Sequence, residues 1–106
     1  MNGSNDTIEV NGVKYIRQDG DSDIRIVILH RGFVYVGRFE QDGPNCILRN
    51  AFNIRRWGTS SGLGELAEKG PLANTKLDKC GVVRFHELGI VAQIDCGNEV
   101  WNDVLR

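Results

Sequence analysis

Apolar and polar residues alternate with a period of two along most of this chain, the mark of half-buried β-strands. Thr7-Ile8-Glu9-Val10 and Val13-Lys14-Tyr15-Ile16 alternate on either side of Asn11-Gly12, a dipeptide suited to a two-residue hairpin because both turn positions need positive φ. Gln18 to Ser22 is polar and predicts a loop. Asp23 to His30 and Phe33 to Glu40 are β-branched and aromatic runs joined by a tight Arg31-Gly32 turn, so they are expected to pair antiparallel. In the second run Phe33, Tyr35 and Phe39 share one face, and Val34, Val36 and Arg38 the other. Gly37 in mid-strand predicts a bulge or a sharp bend. Cys46 to Asn50 supplies a third strand of this meander.

After Trp57 the period changes. Gly58-Thr59-Ser60-Ser61-Gly62 predicts a flexible loop. Leu63, Leu66 and Ala67 then have helical spacing, with Glu65 in the first turn, Lys69 in the last and Gly70-Pro71 as a stop. One short helix is expected over about 62–69. Pro71 to Cys80 reads as a polar connection, and Gly81 to Phe85 with Ile90 to Asp95 as a final hairpin around 86–89. Asn98 as N-cap places Val100, Trp101, Val104 and Leu105 on one stripe, predicting a short C-terminal helix. The whole is mainly β: a small SH3-like or Sm-like antiparallel barrel or rolled sheet in a single domain, residues 1–106, with 1–6 expected to be disordered.

Composition adds limits. At 106 residues the chain suffices for one core. Cys46, Cys80 and Cys96 lack CxxC spacing, which argues against a disulfide framework or a zinc site and for a reducing, cytoplasmic setting. No apolar run approaches the length of a membrane span, and the first residues lack a signal-peptide pattern. The net charge of −1 hides an asymmetry: residues 25–57 carry six arginines against Glu40 and Asp42, while the flanking segments are acidic. Such a segment is either a salt-bridged strand face or an anion-binding surface. A weakly acidic chain makes duplex DNA an improbable partner.

Two resemblances are carried by specific residues. Gly32-x4-Gly37 followed by Asn45-Cys46-Ile47-Leu48 resembles the first motif of Sm-like RNA-binding rings, although the loop between is shorter and Val83-Arg84-Phe85 lacks the Arg-Gly pair of the second motif. Gly32-Phe33-Val34-Tyr35-Val36-Gly37, Leu48-Arg49-Asn50-Ala51, Arg55-Arg56-Trp57 and Leu63-Gly64-Glu65-Leu66-Ala67 with Gly70 resemble a family of small proteins of phages, prophages and other mobile elements. That likeness implies a genomic setting and no chemistry of its own; small phage proteins include inhibitors and ligand sponges directed at host defence.

The candidate chemistry centres on one stretch. Arg55 and Arg56 can pair with a phosphate, Trp57 offers a ring on which a base can stack, and Thr59, Ser60 and Ser61 lead into a helix whose N–H groups favour an anion. Arg38 and Arg49 are additional candidates. Against this, Trp57 can be a core residue on Leu63 and Leu66, and strict alternation sends Arg55 and Arg56 to opposite sides unless a bulge intervenes. Gly58 to Gly62 also fits G-x-S-x-G, but a nucleophile elbow needs an open α/β sheet. His30 and His86 lack partners at metal-ligand spacing, Glu65 and Glu68 fit helix-end electrostatics, and Trp101 fits a core or a subunit contact. The expected protein is therefore a non-catalytic module without cofactor or metal. It is expected to form a homo-oligomer and to bind a small anionic or nucleotide-like ligand; the alternatives are a module that blocks a host protein and an Sm-like RNA binder.

Overall fold

The computed structural model describes residues 7–10, 13–16 and 23–105. The Asn11-Gly12 turn, the 18–22 loop and the expectation for residues 1–6 lie outside the described residues. Strands β1 (Thr7–Val10) and β2 (Val13–Ile16) pair antiparallel as expected, from Thr7↔Ile16 to Val10↔Val13, and form a sheet of their own.

The main sheet contains β3 (Ile24–Leu29), β4 (Val34–Asp42), β5 (Asn45–Arg56), β6 (Lys76–His86) and β7 (Ile90–Asp95), in the spatial order β6-β5-β4-β3-β7 and antiparallel throughout. It is a rolled sheet that leaves β6 and β7 as edges. The expected hairpin between the last two strands does not form, because β7 pairs with β3 instead, from Arg25↔Asp95 to Leu29↔Ile90. Alternation reports which side of a strand is buried and is silent about its neighbour. Residues 87–89 close into a 3-10 turn: the Glu87 N–H donates to the Pro44 carbonyl at 2.8 Å and the Leu88 N–H to His86 Nδ1 at 3.0 Å.

The third strand of the meander is far longer than Cys46 to Asn50. It continues because β5 bends where Asn50 takes φ +53 and β6 bends where Gly81 takes φ +83, so pairing resumes beyond the irregularity. Gly37 sits opposite this bend, where the β4–β5 register shifts. A Cβ there would lie 3.1 Å from the Arg49 carbonyl oxygen and from Leu48 Cβ, so the close approach of the strands depends on glycine.

The sheet buries both faces. Val27, Phe39, Cys46, Leu48 and Ala51 form one apolar cluster; Ile24, Ile26, Val34, Val36 and Ile54 form the other together with helix α1 (Leu63–Lys69) and the C-terminal segment. The α1 boundaries match the 3.6-residue pattern, with Gly70 at φ +81 ending the helix. Helix α2 (Asn98–Trp101) is capped by Gly97, not Asn98. A Cβ at position 97 would stand 3.2 Å from the Glu68 carbonyl oxygen, so the helices meet where only glycine fits comfortably. Trp101 is fully buried, and its Nε1 donates to the carbonyls of Leu66 (3.2 Å) and Ala67 (3.1 Å), satisfying acceptors at the end of α1. Tyr35 and Phe39 do share a face as expected, but Phe33 is 54% exposed, because it lies beyond the strand at the Arg31-Gly32 turn, whose residues take φ +70 and +80. Among the described residues no helix is long and apolar enough to cross a membrane.

Candidate anion-binding site

Most of the arginine-rich segment is neutralised across strands. Arg25 lies 3.7 Å from Asp95, Arg38 3.6 Å from Asp23, Arg49 2.9 Å from Glu40 and Arg55 3.0 Å from Asp78. Arg38 also donates to Asn102 Oδ1 at 3.1 Å, fastening the C-terminal segment to the sheet, and the Arg25 guanidinium lies 4.3 Å from the centre of the Phe39 ring. Arg38 and Arg49 are direct partners on β4 and β5, each with its own carboxylate.

Arg56 and Lys76 present the contrasting case. They are direct partners on β5 and β6, both are exposed, and among the described residues neither has an ion pair. Like charges directly opposite one another in an antiparallel pair repel. The β5–β6 register also shifts between Ile54 and Arg56, which supplies the irregularity that strict alternation required. Arg55, Arg56 and Lys76 together line an open recess of about 230 Å³.

Aromatic rings border this end of the sheet. Trp57 is 44% exposed and is no core residue; Leu63 and Leu66 pack in the cluster that contains Trp101. Its outward position follows from Gly58, at φ +70, where a Cβ would meet the backbone of Asn74 and Thr75 at 2.4 Å. Thr75 Oγ1 donates to the Trp57 carbonyl at 2.7 Å and locks the two segments together. Phe33 has extended backbone immediately before β4 and is exposed.

The hydroxyl-rich loop is differently engaged. Thr59 Oγ1 donates to the Gly62 carbonyl at 2.9 Å, and the N–H groups of Ser60 and Ser61 donate to Glu65 Oε1 at 3.1 and 2.8 Å. The bond from Ser61, aided by Lys69 at 3.6 Å, holds the Glu65 carboxyl below its ordinary value. The donors that a phosphate would use thus already hold a carboxylate of this chain. At the recess, unlike the helix start, Arg56 and Lys76 have no ion pair among the described residues.

Other candidates are tied into the fold. His30 Nε2 lies 3.2 Å from the Leu88 carbonyl and His86 accepts from the Leu88 N–H. His86 ends β6 while Lys76, near the Ser60 loop, begins it. Among the described residues no group of three His, Cys, Asp or Glu side chains could hold a metal ion. A larger recess of about 500 Å³ involves Asp42 and Arg84, whose charges oppose each other. Sequence reasoning missed Lys76 and Asp78, which lay in a presumed connection, and gave Phe33 a strand face but no place in a site. The alternation around Leu77 was too brief to announce a strand, and no local signal gives its register against β5. The chain matches no protein-family model, and comparison with curated proteins gives no match.

Proposed function

We propose that this protein is a non-catalytic module that binds a small anionic, nucleotide-like ligand at the end of β5 and β6. The observation that carries this reading is that Arg56 and Lys76 face each other with no ion pair to either among the described residues. The same sheet gives each member of its other facing cation pair, Arg38 and Arg49, a carboxylate of its own, so Arg56 and Lys76 differ from the comparable cross-strand pair. A phosphoryl group between Arg56 and Lys76 would relieve their repulsion and accept charge-assisted hydrogen bonds. Trp57 and Phe33, both substantially exposed, offer π-faces for a base. Sequestration of such a ligand in the cytoplasm of a host cell follows from the resemblance to mobile-element proteins. Native mass spectrometry of the freshly purified protein tests the reading: extra mass in the nucleotide range supports it, as does a rise in melting temperature with added nucleotides.

A second reading is favoured by the same exposed side chains. Exposed arginine and aromatic residues are the types that dominate protein–protein contacts, and a module that blocks a host protein would use them without a small ligand. A bare species in the mass spectrum, with a melting temperature indifferent to nucleotides, supports that reading. Self-association through the sheet edges is part of the proposal in either case. Both edges carry irregularities, at Gly81 on β6 and beside Leu29 where β7 pairs with β3, and β6 is also rich in lysine and arginine. These features limit open-ended strand addition, and the self-association proposed is a closed one.

A further inference from the structure

Among the described residues Asp78 is the one carboxylate paired with a cation of the recess. Its two oxygens take Arg55 Nε at 3.0 Å and Arg55 Nη2 at 3.2 Å, the side-on, two-point contact that a phosphoryl group would make. The pairs Asn53↔Asp78, Ile54↔Leu77 and Arg56↔Lys76 follow one another, so Asp78 stands two residues from Lys76 along β6, on the same face of the strand. Arg55 and Asp78 are both well exposed, at 67% and 48% of their side-chain surface. Exchange of such a pair for a better anion is inexpensive, since exposed ion pairs contribute little net free energy.

We infer that Asp78 makes the site selective for a ligand with two linked phosphoryl groups, a diphosphate, over one with a single group; this rests on the anion-binding reading above. One phosphoryl group is held by Arg56 and Lys76, to which no carboxylate is paired among the described residues. The second displaces Asp78 from Arg55 and takes over its two hydrogen bonds. A lone phosphate gains nothing from that exchange once it sits on Arg56 and Lys76, and it remains beside the Asp78 carboxylate. Asp78 is therefore a specificity-determining residue that makes no lasting contact with the ligand.

Isothermal titration calorimetry with inorganic pyrophosphate and orthophosphate, at one fixed ionic strength, tests this on the full chain and on Asp78→Asn, Asp78→Ser and Arg55→Ala. The full chain is expected to prefer pyrophosphate by about tenfold or more, a gap of the size that one further charge-assisted contact provides. Both Asp78 variants should bind orthophosphate about fivefold more tightly, gain less for pyrophosphate, and so show a reduced preference. Arg55→Ala should weaken both anions and pyrophosphate the more, so that the preference is lost. If the full chain binds but its preference survives both Asp78 substitutions unaltered, the inference is overturned while the anion site stands. If no protein in the series binds either probe, the anion-binding reading fails and the inference with it.

Discussion

Trp57 shows how far a single side chain can be moved by its neighbour. An aromatic after two arginines reads equally well as core or as surface; Gly58, by letting the backbone pass against Asn74 and Thr75, decides for the surface. Trp57→Ala is expected to change stability by less than about 1 kcal/mol, as for other exposed positions, and to weaken a stacking ligand by about 1–3 kcal/mol. Chemical denaturation and calorimetry read the two effects separately. Glu65 makes a second prediction at this scale. Its folded carboxyl ionises below the ordinary 4.5, so its contribution is complete above that pH and is lost as pH falls through the lower folded value. Melting curves should therefore place Glu65→Gln below the unaltered protein at pH 7, with the two converging as the pH falls below the ordinary value of 4.5.

Among the elements, α1 was legible in the sequence because local signals define it: apolar spacing, an acid at one end, a lysine and glycine at the other. The β3–β4 pairing was legible for the same reason, through its turn. What was not legible depends on contacts distant in sequence. The length of β5 depends on bends at Asn50 and Gly81, and the partnership of β7 with β3 depends on a 3-10 turn closed partly by Pro44. Half of the candidate site was visible as Arg55, Arg56 and Trp57. Lys76 and Asp78 needed the β5–β6 register, which no local pattern carries. The helical elements are joined chiefly through Trp101, which fills the core and bonds to the end of α1. Trp101→Ala is expected to cost about 3–5 kcal/mol in an equilibrium unfolding experiment, far more than the same change at Trp57.

At the scale of the whole molecule, the three cysteines report on the integrity of the fold. Cys46 and Cys96 are buried and Cys80 is exposed, all as free thiols, so a thiol reagent should modify one group rapidly in the native protein and all three after denaturation. Burial pushes the Cys96 thiol up to about 12 from an ordinary 9.0. Because the unfolded chain ionises first, stability is unaffected below pH 9 and declines between there and pH 12, by about 1 kcal/mol at pH 10. Unfolding measured at pH 8 and pH 10 should show this decline, and Cys96→Ala should remove its share of it.

The central claim is that the sheet tolerates a repulsive pair, Arg56 and Lys76, for the sake of an anion. Thermal unfolding of the intact chain and of Lys76→Gln, each with and without pyrophosphate, tests this most directly. Neutralising Lys76 should raise the melting temperature of the free protein by a few degrees, corresponding to about 0.2–1 kcal/mol of relieved repulsion. It should also remove most of the further rise that pyrophosphate gives the intact chain. A variant that melts lower than the intact chain when free, or that retains the full rise with pyrophosphate, would contradict the account.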